Sequence, residues 1–147
     1  MKLTVAWIGK TKDPNVQKLA DKYLERLAYY AHTEGIALKD ETKLLNLCSH
    51  EGRTATPRLI VLDSRGRQLS SEELAEFLRK QQDQGTTSLL FAVGGPDGFS
   101  EEIQKAAAFK LSLGKMTLSH EIARIVLLEQ LYRAFTILRG HPYHVGH

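Results

Sequence analysis

The sequence has one cysteine, few prolines and no long apolar run, and these shortages exclude several classes of protein. Cys48 stands alone, which excludes a disulfide framework within the chain and agrees with a reducing cytoplasm. Eleven glycines and four prolines are too few for a collagen-like or low-complexity chain. No stretch approaches the roughly 18 apolar residues of a membrane span, and the N-terminus lacks a signal-peptide pattern. We therefore expect one soluble, cytoplasmic domain over residues 1–147.

The net charge of +3 is distributed unevenly along the chain. Residues 1–103 carry 14 Lys/Arg against 15 Asp/Glu, whereas residues 104–147 carry six against two, together with four of the six histidines. A basic segment of this kind indicates either an ordinary solvated surface or contacts with an anionic partner. Charge alone leaves both interpretations open.

Short apolar runs and amphipathic segments alternate along the chain. The pattern predicts strands at Leu3–Ile8, Gly35–Leu38, Leu59–Leu62, Leu89–Val93 and Leu111–Leu113. It predicts helices over about 14–30 and 120–139, helical turns around Leu44–Leu47 before Gly52, and two helices capped by Ser70 and Ser100, the latter reaching about Phe109. We expect a turn at Asp63–Gly66. This alternation favours an α/β fold with a mainly parallel sheet and helices on both faces.

Three segments follow predicted strands at the edge where open parallel sheets bind ligands. They are Leu62–Asp63, Gly94–Gly98 and Leu113–Leu118. The adjacent glycines Gly94 and Gly95 indicate either a tight turn or a close approach of the backbone to a ligand. Their spacing matches neither a dinucleotide-binding motif nor a P-loop, so a dinucleotide or triphosphate site is disfavoured.

The last predicted helix is apolar around nearly its whole circumference, which places it in the core or in a subunit interface. Glu129 and Arg133 stand at i,i+4 and are expected to pair. His120 and Arg124 share a face directly after the Leu113–Leu118 loop, so both are candidate site residues. A second helix-capping residue is the alternative role for His120.

The chain closes with a histidine-rich tail. A frayed end is the simplest interpretation. A metal site formed by His141, His144 and His147 is a weaker one, because no carboxylate or cysteine adjoins them in the sequence. The tail can instead fold over a site and bring Tyr143 and His144 to an RNA base for stacking and hydrogen bonding.

Several of these segments, taken in order, resemble one family of enzymes. The segments are Leu59–Asp63, Phe91–Gly98, Leu113–His120, Leu128–Phe135 and Pro142–His144. Together they resemble the large-subunit ribosomal RNA pseudouridine N3-methyltransferase family, a minimal branch of the SPOUT superfamily. The resemblance is most specific over residues 88–144.

The resemblance implies a SPOUT-type fold with a C-terminal trefoil knot, an exception to the rule of unknotted chains. It implies S-adenosylmethionine as the cofactor, in a pocket formed by the knot, and no metal. Carried over by matching motifs, the cofactor-binding residues are Leu62, Gly94, Leu113, Gly114, Lys115, Met116, Thr117 and Leu118. It also implies a homodimer with the C-terminal helix in its interface and an active site shared between subunits.

The implied reaction methylates N3 of a pseudouridine in 23S ribosomal RNA, within an assembled ribosome. N3 must lose its proton, and His120, His144 and Tyr143 are the candidates to accept or relay it. Arg124 is the candidate for stabilising charge on a carbonyl or holding a phosphate, and Arg133 ranks below it because it is expected to be paired. The basic C-terminal third is expected to contact RNA phosphates.

Two other functions stay open at the level of sequence. One is a SPOUT methyltransferase for another RNA, such as transfer RNA, which would share the cofactor loops and differ in its acceptor surface. The other is a protein that binds RNA or assists ribosome assembly without methylating. The intact Gly94–Gly95 pair and the uncrowded Leu113–Leu118 loop argue against this second alternative.

Overall fold

Strands and helices alternate through residues 1–49 and 56–145, the part of the chain described by this computed structural model. The strands are β1 (Lys2–Ile8), β2 (His32–Leu38), β3 (Arg58–Gln68), β4 (Ser88–Val93) and β5 (Phe109–Ser112). The helices are α1 (Pro14–Leu27), α2 (Glu41–Leu47), α3 (Ser71–Asp83), α4 (Glu101–Ala106) and α5 (His120–Leu138), followed by a 3-10 turn at Pro142–His144.

The five strands form one parallel sheet in the order β2-β1-β4-β3-β5. Parallel neighbours require crossover connections, and the helices supply them. The carboxyl ends of the strands therefore share one edge, and the loops that leave this edge are where open parallel sheets bind ligands. The predicted α/β architecture is confirmed.

Helices cover both faces of the sheet. Successive strand residues point to opposite sides, so the apolar strands present side chains that need cover on each face. On one face, α1, α3 and α5 pack in a cluster that includes Val5, Leu27, Leu78, Phe91 and Leu131. On the other face, α2 and α4 pack in a smaller cluster that includes Leu44, Leu59, Val61, Leu90 and Ile103. The apolar circumference of α5 follows from its place in the larger cluster.

Each of the five helices begins after a side chain that accepts a backbone N–H from its first turn. These N-cap residues are Asp13, Asp40, Ser70, Ser100 and Ser119. The predicted reciprocal bonds between Ser70 and Glu73 are both present. Such a cap stabilises a helix by about 1 kcal/mol. Because it involves residues that are close in the sequence, the sequence alone predicts where these helices begin.

Strand β3 continues through the predicted turn at Asp63–Gly66, so that prediction is wrong. Leu62 and Arg67 both lie opposite Leu111, and the four residues between them are accommodated by a shift of register. The strand resumes because Arg67 and Gln68 pair again with β5. This long-range pairing outweighs the local turn propensity of the intervening residues.

The helix after Ser100 is shorter than predicted. It ends at Ala106 rather than Phe109, because Phe109 already belongs to β5 and lies beside Ile60 in the sheet. Helix α1 likewise ends at Leu27, three residues before its predicted end at 30. The predicted end of the helical turns at Gly52 lies outside the described residues.

Candidate functional site

A cavity of about 230 Å³ lies at the carboxyl edge of the sheet. Its walls come from the end of β3, the loop after β4, the end of β5 with the loop that follows it, and the first turn of α5. The predicted site residues that line it are Leu62, Gly94, Leu113, Gly114, Met116, Thr117, Leu118 and His120. Lys115 is exposed and is not among the lining residues.

The two adjacent glycines after β4 have different roles in the turn. A Cβ atom on Gly94 would lie 3.1 Å from the carbonyl carbon of Gly98, so Gly94 permits a close approach of two backbones. Gly98 has a φ of +72° and donates its N–H to the carbonyl oxygen of Gly95 at 3.0 Å. A Cβ atom on Gly95 would meet nothing within 4 Å. Gly94 thus serves the turn, whereas Gly95 leaves open space beside the cavity.

The loop after β5 is fixed at its start and exposed at its centre. The hydroxyl of Ser112 accepts the N–H of Gly114 at 3.2 Å and lies 3.0 Å from the carbonyl oxygen of the same residue, to which it donates. Gly114 has a φ of +138°, which favours glycine. Met116 is 85% exposed and Leu118 is 37% exposed, so apolar side chains surround the mouth of the cavity.

Asp63 lines the cavity but is not among the predicted site residues, although the sequence places it directly after a predicted strand. Its carboxylate accepts the backbone N–H of Arg65 at 2.8 Å and the Arg65 Nε–H at 3.3 Å. The backbone hydrogen bond is the main cause that lowers the pKa of Asp63. The cavity therefore holds an ionised carboxylate at neutral pH, able to accept hydrogen bonds from a polar ligand.

His120 is the first residue of α5, and its ring lies at the cavity. The capping role belongs to Ser119, whose hydroxyl accepts the N–H of Ile122 at 3.3 Å. His120 is half-buried and lines the cavity. The alternative of a second cap is therefore unnecessary to explain its position.

Arg124 is buried, with only 1% of its surface exposed, and it does not line the cavity. Its guanidinium donates to the hydroxyl of Thr11 at 2.9 Å and to the carbonyl oxygen of Ile8 at 3.0 Å. The group also lies over the ring of Trp7, 5.6 Å from its centroid. Arg124 thus connects α5 to the loop after β1, so in this chain it acts on the protein's own backbone.

Tyr143 and His144 join a hydrogen-bonded network on the surface of α5. Glu129 accepts from Arg133 Nη2 at 2.8 Å and from the hydroxyl of Tyr143 at 3.1 Å, which confirms the predicted Glu129–Arg133 pair. The Nη1 atom of Arg133 lies 3.0 Å from His144 Nδ1, and His144 Nε2 lies 2.6 Å from Glu72 Oε1. The tail is therefore held by both α5 and α3 at these two residues.

This network determines the proton positions on both tail residues. A guanidinium can only donate, so His144 Nδ1 accepts from Arg133 and His144 Nε2–H donates to Glu72. Arg133 and Glu72 thus fix the orientation of the imidazole ring from both sides. Burial, and after it the charge of Glu129, raises the pKa of Tyr143 to about 12. Its phenol is protonated at neutral pH and donates a hydrogen bond.

The predicted catalytic residues fall into two separate groups within one chain. Tyr143 contacts Glu129 and His144 contacts Arg133, nine and 13 residues beyond His120 in α5. At 1.5 Å per residue these contacts lie about 13 and 20 Å along the helix from the cavity end. A single chain therefore does not bring its own Tyr143 and His144 to its own cavity.

The basic charge of residues 104–147 is largely engaged within the chain. Arg124 is buried, Arg133 pairs with Glu129, and Lys105 pairs with Glu101 at 3.7 Å. Lys110 donates to Gln104 at 3.3 Å. The exposed cations of this segment that have no hydrogen-bond or ion-pair partner within residues 1–49 and 56–145 are Lys115 and Arg139. The segment thus offers less free positive charge than its composition suggested.

The predicted alternative of a metal site in the histidine-rich tail falls partly within the described residues. The described residues contain no group of three or more His, Cys, Asp and Glu side chains arranged to hold a metal ion. His147, the third histidine of the alternative metal site, lies outside the described residues. Among the helices of the described chain, none combines the length and apolarity needed to cross a membrane.

Comparisons with known proteins identify relatives over the full chain. A family model described as "Predicted SPOUT methyltransferase" matches residues 1–144. A curated protein of Koribacter versatilis named "Ribosomal RNA large subunit methyltransferase H" is 56% identical over 147 residues, covering 100% of both chains. A protein of the same name from Geotalea daltonii is 41% identical over 152 residues, covering 98% of this chain and 99% of the relative.

A solved structure supports the fold. It is described as a probable methylase family protein from Haemophilus influenzae Rd KW20, and it matches with a TM-score of 0.62 over 97% of this chain and 70% of that chain. The sequence identity is 11%, so this likeness concerns the fold alone.

Proposed function

Because the chain belongs to the SPOUT methyltransferase family, we propose that it is an S-adenosylmethionine-dependent methyltransferase that modifies N3 of a pseudouridine in large-subunit ribosomal RNA. The observation that carries the proposal is the cavity at the carboxyl edge, where the segments expected to bind the cofactor meet. The names of the full-length relatives support the RNA substrate. The position on the base follows from the family resemblance.

The cavity suits an adenosine-containing cofactor chemically. Apolar side chains at the strand ends, such as Leu62 and Leu113, can cover a purine ring, and exposed backbone groups of the two loops can hydrogen-bond its edge. The open space beside Gly95 allows a ligand to come close to the backbone of this residue. The ionised Asp63 can accept hydrogen bonds from hydroxyl groups or an ammonium group.

When bound, S-adenosylmethionine supplies an activated methyl group on a sulfonium, so the protein's main task is to position the acceptor. His120 lies where a base entering the cavity would be oriented. Tyr143 can donate its O–H to a base carbonyl if the base displaces Glu129 from that hydroxyl, and His144 can accept the N3 proton at Nδ1 if that atom is released from Arg133. Arg124 contributes by holding the loop after β1 rather than by touching RNA.

We propose that two copies of the chain form the working enzyme. The roughly 13–20 Å between the cavity end of α5 and the contacts of the tail would be bridged if each tail served the partner's cavity. Exposed apolar side chains on the loop after β5 and in the first turn of α5 give the proposal a surface: Met116 is 85% exposed, Ile122 47% and Leu118 37%. Exposed apolar patches often mark interfaces.

The proposal also includes a knotted chain and an assembled ribosome as the substrate. The SPOUT-like fold supports a trefoil knot formed by the segment from β5 to α5. An assembled ribosome in the cytoplasm is the substrate that the family resemblance favours, and the relatives' names specify large-subunit ribosomal RNA.

Two measurements test the proposed function. Calorimetric titration with S-adenosylmethionine should show binding, and no heat at millimolar ligand would exclude the enzyme in favour of a non-catalytic RNA-binding protein. Mass spectrometry of large-subunit RNA from cells that lack the protein should show the loss of one methylated pseudouridine. If every methylated nucleoside of that RNA persists while one in transfer RNA disappears, the substrate assignment is wrong.

A further inference from the structure

Three exposed lysines lie at the carboxyl edge of the sheet, at the ends of β1 and β2. Lys10 and Lys12 belong to the loop between β1 and α1, and Lys39 directly follows β2. The N–H of Gly9 donates to the carbonyl oxygen of Leu38 at 2.7 Å, which joins the two strand ends. We call Lys10, Lys12 and Lys39 the lysine edge. Within residues 1–49 and 56–145, none of the three side chains has an ion-pair partner.

The carboxylates beside the lysine edge are engaged by the chain's own backbone. Asp13 and Asp40 cap α1 and α2, accepting N–H groups at 2.8 and 3.1 Å. Glu41 accepts the N–H of Ser100 at 3.0 Å. These acids face N–H groups at helix starts, where negative charge is stabilised. Lys10, Lys12 and Lys39 are exposed, so their ammonium groups face solvent. Asp97, in the loop after β4, is an exposed acidic residue at the same edge of the sheet.

The loop that carries two of the lysines is anchored to α5. Arg124 donates to the hydroxyl of Thr11 and to backbone carbonyls of the loop. Glu121 accepts the N–H of Lys12 at 3.2 Å. The same helical turn carries His120 at the cavity. Since the backbone is already held in place, less conformational entropy is lost when a ligand binds there.

The lysine edge lies beside the cavity, on the same edge of the sheet. Strand β1 is the neighbour of β4, whose following loop forms a wall of the cavity, and β2 lies beyond β1. Neighbouring strands are about 4.8 Å apart, so the ends of β1 and β2 lie about 5 and 10 Å to the side of the end of β4. A nucleotide presented to a cofactor in the cavity would therefore have its neighbouring phosphates within reach of these lysines.

We propose that the lysine edge binds the sugar–phosphate backbone of the substrate RNA next to the nucleotide being modified. The inference rests on the proposed function. Lysine ammonium groups suit this role because they are flexible point charges that bind phosphate without reading sequence. Each phosphate contact releases counterions. The logarithm of the affinity should therefore fall linearly with the logarithm of the salt concentration, with a slope proportional to the number of contacts.

The test replaces Lys10, Lys12 and Lys39 together by alanine. Methyl transfer is measured on ribosomes purified from cells that lack the protein, at several KCl concentrations, alongside calorimetric binding of S-adenosylmethionine. We expect the KM for ribosomes to rise about tenfold while kcat stays within twofold. The slope of log KM against log salt should become shallower by about 2, at about 0.7 for each lost contact with single-stranded RNA. Affinity for S-adenosylmethionine should be unchanged.

A matched control removes three lysines at the opposite edge, where β1 begins and where α3 and α4 end: Lys2→Ala, Lys80→Ala and Lys105→Ala. The control should keep the wild-type KM and salt slope. Equal KM values and slopes for the two triple variants would overturn the inference, and so would a raised KM with an unchanged slope, which would indicate a protein partner instead. If the triple variant does not fold, single substitutions test the inference instead. Each alanine at Lys10, Lys12 or Lys39 is expected to give a third of the slope change. Failure of the wild-type protein to methylate would instead contradict the proposed function.

Discussion

The Nε2 atom of His144 lies 2.6 Å from Oε1 of Glu72, which joins the end of the chain to the first turn of α3. This hydrogen bond is the main cause that lowers the pKa of Glu72. With Arg133 on the other side of the ring, both nitrogens of His144 are engaged. The orientation of the His144 ring therefore depends on Glu72 as well as on Arg133.

Replacing Glu72 by alanine should lower kcat for methyl transfer several-fold, because the imidazole loses the acceptor that fixes its tautomer. Glu72→Gln should restore most of the rate, since an amide oxygen still accepts the Nε2–H. Steady-state kinetics on ribosomes and the nitrogen chemical shifts of His144 measure the two effects. Glu76→Ala on the same helix, which removes only an exposed pair with Arg79, is the control. Equal rates for Glu72→Ala and Glu76→Ala would rule out this role.

Tyr143 should make stability depend on pH in the alkaline range. Its pKa is raised to about 12 in the folded chain from an ordinary value of 10. Between these values the folded state keeps a proton that the unfolded state has released, so the free energy of unfolding falls as the pH rises. Tyr143→Phe lacks this contribution, and urea unfolding of both proteins from pH 9 to 12 measures the difference. A difference that stays constant across that range would contradict the burial of this hydroxyl.

The two glycines after β4 should respond differently to alanine. Gly95→Ala should fold like the wild type and weaken S-adenosylmethionine binding at least tenfold, because its methyl group would enter the space beside the cavity. Gly94→Ala should instead lower the free energy of unfolding by about 1–3 kcal/mol, because its methyl group would crowd the backbone of Gly98. Calorimetry and urea unfolding separate the two effects. Wild-type affinity in Gly95→Ala would show that the cofactor does not approach there.

The exposed apolar side chains of the loop after β5 and of the first turn of α5 should be covered in the working enzyme. Sedimentation at micromolar concentration is expected to give about twice the chain mass of 16.5 kDa. Ile122→Asp, at a position that is 47% exposed, should shift the protein to the monomer and abolish methyl transfer. Tyr29→Asp, just beyond the end of α1 and 84% exposed, serves as a control. A strictly monomeric wild-type protein that is fully active would contradict the shared site.

The sequence predicted those features that depend on local chemistry. The starts of α3, α4 and α5 follow from caps at Ser70, Ser100 and Ser119, each of which involves residues three positions apart. The edge of the sheet that carries the cavity followed from strand alternation alone. The individual loop residues came from the family resemblance, because their types alone also suit an ordinary turn.

Other features depend on contacts that local patterns do not encode. The second half of β3 exists because Arg67 pairs with Leu111, which no turn propensity anticipates. Arg124 was expected near the substrate, but its partner Thr11 lies 113 residues away in the sequence. The tail's contact with Glu72 likewise spans 72 residues. The surroundings of Arg124 and His144 are therefore set by contacts between distant parts of the chain, which the local sequence does not encode.

Reconstituted methyl transfer is the sharpest test of whether this protein methylates a pseudouridine of large-subunit RNA. Ribosomes from cells that lack the protein are incubated with the purified protein and methyl-labelled S-adenosylmethionine, and the digested RNA is analysed by mass spectrometry. We predict label in large-subunit RNA, on N3 of a single pseudouridine, and none when the protein is omitted. Label confined to transfer RNA, or no label above the omission control with a protein that binds S-adenosylmethionine, would contradict the account.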